Sequence, residues 1–506
     1  MTSTARAVID LDVTGDRISR HLYGHFAEHL GRCIYDGFWV GEDSSIPNVR
    51  GIRLDIVEAL RALDIPNLRW PGGCFADTYH WRDGVGPRER RPKIANTNWG
   101  DVVENNHFGT HEFMDLCDLL GADAYVNGNV GSGTVQEMSE WVEYLTRADD
   151  SPMARLRRQN GRDEPWRVPF WGLGNEAWGC GGNMSASFYA EEARRYATFC
   201  HEHGGNSLTR IAAGANEDDL EWTRTLMKSL TECHGCTMGG NLPYQAISFH
   251  YYTHSGSGIN TEEATAFTTA QYYETVAYAA GIERIVRGHV AVMDSYDPQN
   301  RVGLVCDEWG TWWNAAEGTN PGFLFQQNTV RDALVAGLHF DVFHRHARRL
   351  TMANIAQTVN VLQAMVLTDG ENLVLTPTYH VFEMNKGHQD AAGLPVHLLE
   401  TPTTTVRGED LDLVSISAST RGDTALVSMT HLSIDAPCTV RVDLRGRAAS
   451  IVRARVLTGD AASSFNDVDA PERVAPRPLA ASLEHGGVLV VDLPPHSFAT
   501  VELALA

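Results

Sequence analysis

WGLGNEAWGCGG (171–182) opens on apolar residues of strand character and ends on a carboxylic acid, with Asn175-Glu176 followed by Trp178. VGLVCDEWG (302–310) repeats the plan and ends on Glu308 beside Trp309. A short, continuous apolar run is the signature of a strand buried on both faces, as in a parallel sheet. Working outward from these two runs, six more of the same kind can be read: LYGHFAE (22–28), NLRWPGG (67–73), AYVNGNV (124–130), IAAGANE (211–217), AISFHYY (246–252) and ANIAQTV (353–359).

The gaps between them carry helical periods. Ile56, Leu60 and Leu63 fall on one face, as do Phe113, Leu116 and Leu120, and Tyr189, Ala193, Tyr196 and Cys200. Eight strand–helix pairs imply parallel strands joined by right-handed crossovers. The predicted fold is therefore an α/β (β/α)8 TIM barrel. An open doubly wound sheet would place a Gly-rich phosphate loop after its first strand, and HFAEHLGRCIY (25–35) has none. Barrel chemistry sits at the C-terminal strand ends, and polar or aromatic residues recur there: Glu28, Arg69, Asn129, Glu176, Tyr252, Glu308 and Gln357.

Beyond about residue 400 the period becomes two. TVRVDLRG (439–446) sets Val440, Val442 and Leu444 against Arg441, Asp443 and Arg445, and the tail SFATVELALA (497–506) behaves alike. Antiparallel strands with one wet face have this pattern, so a β-sandwich (jelly-roll) is expected. The N-terminal stretch alternates too, Ile9 and Leu11 against Asp10 and Asp12, and is expected to join that sandwich. The expected division is a barrel over 19–385 and a sandwich over 1–18 and 386–506. The Pro/Ala/Asp-rich stretch 459–478 reads as a surface loop.

The 506 residues are too many for one average domain. A net charge of −23 repels nucleic acid and anionic membranes and suits a neutral substrate. The N-terminus has no signal-peptide apolar core, and no segment is apolar enough to span a bilayer. Nine scattered cysteines point to reduced thiols in the cytoplasm rather than a disulfide framework. Cys233-His-Gly-Cys236 has metal-ligand spacing but no second pair, and reads as a loop with two free thiols. The i, i+2 pairs His201/His203 and His344/His346 share no helical face and read as solvated surface. No metal and no organic cofactor is implied.

Two glutamates at strand ends beside flat apolar rings are what glycoside hydrolysis requires, one protonating the leaving oxygen while the other acts at the sugar carbon. At strands 4 and 7 they would face each other across the barrel mouth. A spacing of about 5 Å gives retention, and about 6.5–9.5 Å gives inversion.

GHFAEHLGRCIYDG, RWPGGCFADTYHWRDGVGP, GLGNEAWGCGGNM, FHYYT, CDEWG and NIAQTVNVLQAM, in this order, together resemble glycoside hydrolase family 51, the α-L-arabinofuranosidases. The resemblance implies Glu176 as acid/base and Glu308 as nucleophile of a retaining, exo-acting enzyme that removes terminal α-L-arabinofuranosyl residues from arabinoxylan- or arabinan-derived oligosaccharides. It also implies a homo-oligomer, a hexamer. Glu28 and Asn175 would hold arabinofuranose hydroxyls, Glu28 having a buried ion pair with Arg69 as its alternative. Arg69 would hold the nucleophile ionised or serve in a structural ion pair. Tyr252 would donate to Glu308 or be a core tyrosine, and Gln357 would reach the sugar or satisfy a strand-end backbone group. Cys74 would line the sugar pocket or only fill space. Trp99, in the polar loop 91–113, would stack on the neighbouring sugar or pack under the loop, and Trp178 is read the same way. The rival readings are an endo-β-glucanase or β-xylosidase on the same barrel, and a non-catalytic sugar-binding protein, against which the intact acid pair speaks.

Overall fold

The computed structural model describes residues 3–231 and 242–506. Cys233 and Cys236 lie outside the described residues. Eight parallel strands close into a barrel: Gly24–Phe26, Asn67–Trp70, Asp123–Gly128, Phe170–Leu173, Thr209–Asn216, Ala246–Thr253, Gly303–Thr311 and Leu350–Ile355. Each pairs with its sequence neighbour, and the eighth returns to the first through Asn354↔Gly24 and Ile355↔His25. All eight runs read from the sequence are present as strands.

Local chemistry sets the surrounding helices. Helix Ala186–Phe199 starts where the Ser185 hydroxyl accepts from the Phe188 N–H, and helix Thr110–Leu120 stops at Gly121, whose φ of 71° suits a residue without a side chain. Inside the barrel, Tyr125, Ile211, Ala246, Val305 and Met352 form a closed apolar layer, with Phe170 against it. That plug forces the polar side chains above it toward the mouth.

The other domain is a sandwich of mostly antiparallel strands. One sheet holds Val396–Glu400, Ser3–Asp10, Cys438–Arg445, Val488–Leu493 and Ala481–Glu484. The other is built on Val414–Arg421, Thr424–His431, Ser497–Leu505 and Ala449–Leu457. The N-terminal strand enters parallel to Cys438–Arg445, from Ser3↔Cys438 to Asp10↔Arg445. The inward faces meet in one core that includes Ile9, Val427, Val440, Val491 and Val501.

The stretch 459–478 is a surface loop, as expected, and it docks on the barrel: Ala462 and Ser464 carbonyls accept from Arg331 and Val330 at the start of helix Val330–Arg345, and Asn466 is buried. These bonds satisfy N–H groups that the first turn of that helix leaves open. One expectation needs correction: His344 is not solvated surface. It is buried on that helix between the Tyr23 hydroxyl (2.9 Å) and the Ser417 hydroxyl of the sandwich (2.8 Å).

Candidate active site

The barrel mouth gathers most of the expected residues around one buried arginine. Arg69 stacks over Phe26, with its guanidinium carbon 4.5 Å from the ring centre. Its Nη1 donates to Glu308 Oε1 (2.9 Å), and its Nη2 donates to Asn175 Oδ1 (2.6 Å). Asp307 Oδ2 lies 3.7 Å from its Nε. Glu28 is not its ion-pair partner: the Glu28 carboxylate accepts from the Phe75 N–H (3.0 Å), the Trp99 indole (2.9 Å) and the Gln357 amide (2.9 Å). Tyr252 donates to Glu308 Oε2 at 2.7 Å.

Glu176 sits at the end of the fourth strand with a left-handed φ of 41°. Such a backbone costs a non-glycine residue roughly 1–2 kcal/mol and needs enforcement. Asp77 supplies it. Its buried carboxylate accepts from the N–H groups of Val130 (2.7 Å), Gly131 (2.8 Å) and Asn175 (2.7 Å), tying the ends of the third and fourth strands together. The Glu176 carbonyl accepts from Gly179 and Gly181 and closes the turn.

His250 joins the two acids. Its Nδ1 is 2.8 Å from Glu176 Oε1 and 3.6 Å from Glu308 Oε2, and its Nε2 is 3.1 Å from Asp307 Oδ1. One oxygen of Glu176, one of Glu308 and a His250 nitrogen all lie within 4.8 Å of one another. Burial opposes charge on this imidazole, but Glu308, Asp307 and Glu176 outweigh it and carry the pKa to about 10. Burial would also raise Asp307, yet Arg69, His250 and the Tyr125 hydroxyl pull it down to about 2. Glu176 is pushed upward, by burial first and the facing Glu308 next, against the pull of His250 and Arg69. Glu28 is pushed to about 7 by burial and by Glu308. Among the four carboxyl groups of the site, burial thus raises both Glu28 and Glu176, and Glu176 is the raised acid that shares His250 with Glu308.

The cavity above these groups is lined by Glu28, Leu30, Gly73, Cys74, Trp99, Glu176, Tyr252, Glu308, Trp312, Leu324, Gln357 and Leu362. A Cβ on Gly73 would stand 3.1 Å from both Glu28 Oε1 and Glu308 Oε1, so the backbone approaches the acids as closely as glycine permits. A larger groove between the helix layer and the sandwich, lined by Leu338, Val342 and Leu411, shares no residue with this site.

Several sequence readings change. Trp178 is outside the cavity lining, and its indole donates to the Gly214 carbonyl at 3.1 Å. Asn175 and Arg69 are outside the lining: Asn175 accepts from Arg69, and Arg69 holds Glu308. The expectation of reduced thiols fails at one pair: Cys74 and Cys180 are joined by a disulfide, 106 residues apart in sequence. His250, Asp307, Asp77 and Trp312 were not singled out. CDEW contains Asp307, but strand alternation turns the neighbour of an inward residue outward, whereas FHYY contains His250 two residues before Tyr252, on the face that alternation gives to both. The register shifts between Ser248 and His250 and between Cys306 and Trp309. The second irregularity lets Asp307 and Glu308 both face the mouth.

Comparison with known proteins agrees with this geometry. Residues 59–257 match the model of an α-L-arabinofuranosidase 1 domain, and residues 307–497 match an α-L-arabinofuranosidase C-terminal domain. An intracellular exo-α-L-arabinofuranosidase of Bacteroides ovatus is 46% identical over 501 residues, covering 99% of this chain and 96% of the relative. The chain belongs to glycoside hydrolase family 51, the α-L-arabinofuranosidases. The crystal structure of a family 51 arabinofuranosidase from Xanthomonas axonopodis pv. citri superposes with a TM-score of 0.95 at 46% identity, each chain covered to 99%. An α-L-arabinofuranosidase from Thermotoga maritima, solved as an arabinose complex, superposes at 0.86 with 28% identity over 99% of this chain and all of that one. This family 51 enzyme is therefore a glycoside hydrolase, and no helix among its described residues is long and apolar enough to cross a membrane.

Proposed function

We propose that the enzyme is a retaining, exo-acting α-L-arabinofuranosidase working by double displacement. The observation that carries this reading is the approach of Glu176 and Glu308 within 4.8 Å across the mouth. An oxygen-to-oxygen approach this close suits attack by one carboxylate on the sugar carbon, as in a retaining enzyme. Glu308, aligned by Arg69 and Tyr252, is the nucleophile. Glu176, whose burial favours its protonated form, gives its proton to the leaving oxygen. The glycosyl ester cancels the charge on Glu308, so Glu176 then ionises more readily and activates water for the second displacement.

Glu28 and Gln357, bonded to each other at one edge of the cavity, are placed to hold ring hydroxyls, and Trp99 caps them. Asn175 completes the set by orienting Arg69, and Cys74 contributes a sulfur wall. A small cavity walled by Leu30, Trp312, Leu324 and Leu362 fits one terminal furanose better than a chain in an open cleft. We take the substrates to be arabinoxylan- or arabinan-derived oligosaccharides met in the cytoplasm, as the name of the Bacteroides relative suggests. The catalytic unit is residues 19–385, and a hexameric state would show in light scattering.

The test is the stereochemistry of the first-formed arabinose together with two variants. Proton NMR should show α-arabinofuranose first, and first appearance of the β-anomer would sink the retaining reading. Glu308→Ala should lose at least about 10⁴-fold in kcat on every arabinofuranoside. Glu176→Ala should lose about 10²- to 10⁴-fold on poor leaving groups and far less on 4-nitrophenyl. Equal losses on both would remove Glu176 as the acid.

A further inference from the structure

The Cys74–Cys180 bridge abuts the acid proton of Glu176. Cys180 Sγ lies 3.4 Å and Cys74 Sγ 3.8 Å from Glu176 Oε2. The other oxygen, Oε1, faces His250 Nδ1. His250 is cationic and bonded through both nitrogens, so it donates to Oε1, and the transferable proton of Glu176 belongs on Oε2, the oxygen facing the sulfurs. A disulfide presents only lone pairs to that oxygen. Two thiols would present two S–H donors, weak ones but directed at the same atom.

The bridge is also open to attack. Cys180 is exposed, whereas the five free cysteines among the described residues, Cys33, Cys117, Cys200, Cys306 and Cys438, are all buried. Their thiols are pushed upward by burial, Cys33 and Cys200 to about 12, which removes the reactive thiolate. An exposed bridge in a protein of reducing surroundings is of the exchangeable kind.

We propose that Cys74 and Cys180 form a thiol–disulfide exchange site for small dithiols, and that its oxidation state sets how readily Glu176 gives up its proton. The inference rests on Glu176 being the acid/base. In the exchange, a dithiol's thiolate attacks the exposed Cys180 Sγ, the Sγ–Sγ bond breaks, and Cys74 leaves as a thiolate that takes a proton from water. The dithiol's second sulfur then displaces Cys180, which is protonated in turn. Two electrons pass to the protein, and the reagent closes to a cyclic disulfide. The new S–H groups favour the ionised form of Glu176, on which His250, Glu308, Arg69 and Tyr252 also act. The dithiol enzyme should lose its acid at lower pH.

The experiment is kcat/KM against pH on a poor-leaving-group arabinofuranoside, with full-length enzyme oxidised or reduced by dithiothreitol. Peptide mass spectrometry scores Cys74 and Cys180 separately from the other cysteines. The basic limb should fall by about half a pH unit on reduction, about a threefold loss of rate on its alkaline side. Cys180→Ala, which cannot form the bridge, should give one profile under both conditions. Superimposable wild-type profiles with the bridge demonstrably opened would overturn the proposal, and so would failure of the bridge to form under oxidant. If the basic limb persists in Glu176→Ala assayed with 4-nitrophenyl arabinofuranoside, the acid assignment has failed and not the switch.

Discussion

At the barrel mouth, Arg69, His250, Asp307 and Glu308 are buried together, and at the seam between barrel and sandwich His344 and His388 are buried as well. The mouth keeps its groups charged by pairing them: each cation meets two or more carboxylates within hydrogen-bond or ion-pair distance. The seam keeps its groups neutral. His388 bonds the hydroxyls of Ser419 (2.7 Å) and Ser428 (3.2 Å), and burial drives its pKa to about 3. His344, beside Tyr23 and Ser417, is driven well below the ordinary histidine value by the same burial and by His388. A catalytic network needs charge in place before substrate arrives, and low dielectric makes that charge effective. An interface only needs its polar atoms satisfied, which neutral imidazole and hydroxyl do at lower cost.

The sharpest way to break this contrast is to remove a cation from the mouth. Arg69→Met leaves Asp307 and Glu308 buried without their main counter-charge. It should cost about 3–5 kcal/mol of stability, the range for breaking a buried pair. It should also lower kcat by at least about 10³-fold, since Glu308 loses its alignment. Urea denaturation alongside steady-state kinetics reads both. If stability falls by less than about 1 kcal/mol, the mouth is not held by charge pairing.

His250→Asn is a finer cut. The amide keeps a donor near Glu176 but carries no charge, so Glu176 should hold its proton more tightly. The basic limb of kcat/KM should move to higher pH, while kcat on poor leaving groups falls about 10²-fold from misalignment. A merely structural histidine would lower activity without moving the limb, and that outcome would refute its role in positioning the acid.

What the sequence disclosed follows the same divide. The eight strands were legible because a strand buried on both faces must be apolar along its length, and the carboxylates were legible because they end two such runs. Glu28, Tyr252 and Gln357 were found by position at strand ends. Asp307 was hidden by strand alternation beside Glu308, which a register irregularity overrides, whereas His250 shares the face of Tyr252 by alternation and could have been read from that spacing. The Cys74–Cys180 pairing was hidden by sequence distance and by a composition that favours free thiols. For Trp178 the two readings, sugar stacking or packing, stood open in the sequence, because an aromatic ring on a polar turn can equally satisfy a neighbouring strand's carbonyl, as its indole does at Gly214. His344 misled because i, i+2 spacing says nothing about a second domain docked on the helix, and no local pattern announces that surface.

The seam offers the smallest and most discriminating effect. In the unfolded chain His388 takes a proton below about pH 6.5, whereas folded His388 does so only near pH 3. Between these values the unfolded state binds more protons, so stability falls as pH falls, by about 1.4 kcal/mol per pH unit for each such group. Below pH 3 the contribution is lost in full and the slope vanishes. His388→Gln retains a donor and an acceptor for Ser419 and Ser428 but does not titrate. At pH 7 it should cost no more than about 1–2 kcal/mol. Between pH 7 and pH 5 it should lose about 2 kcal/mol less than the parent enzyme, so the two denaturation midpoints converge as the solution is acidified. His344 titrates by the same logic and keeps part of the slope in the variant. Parallel losses in variant and parent would show that the seam's acid sensitivity lies outside His388 and would assign it to His344.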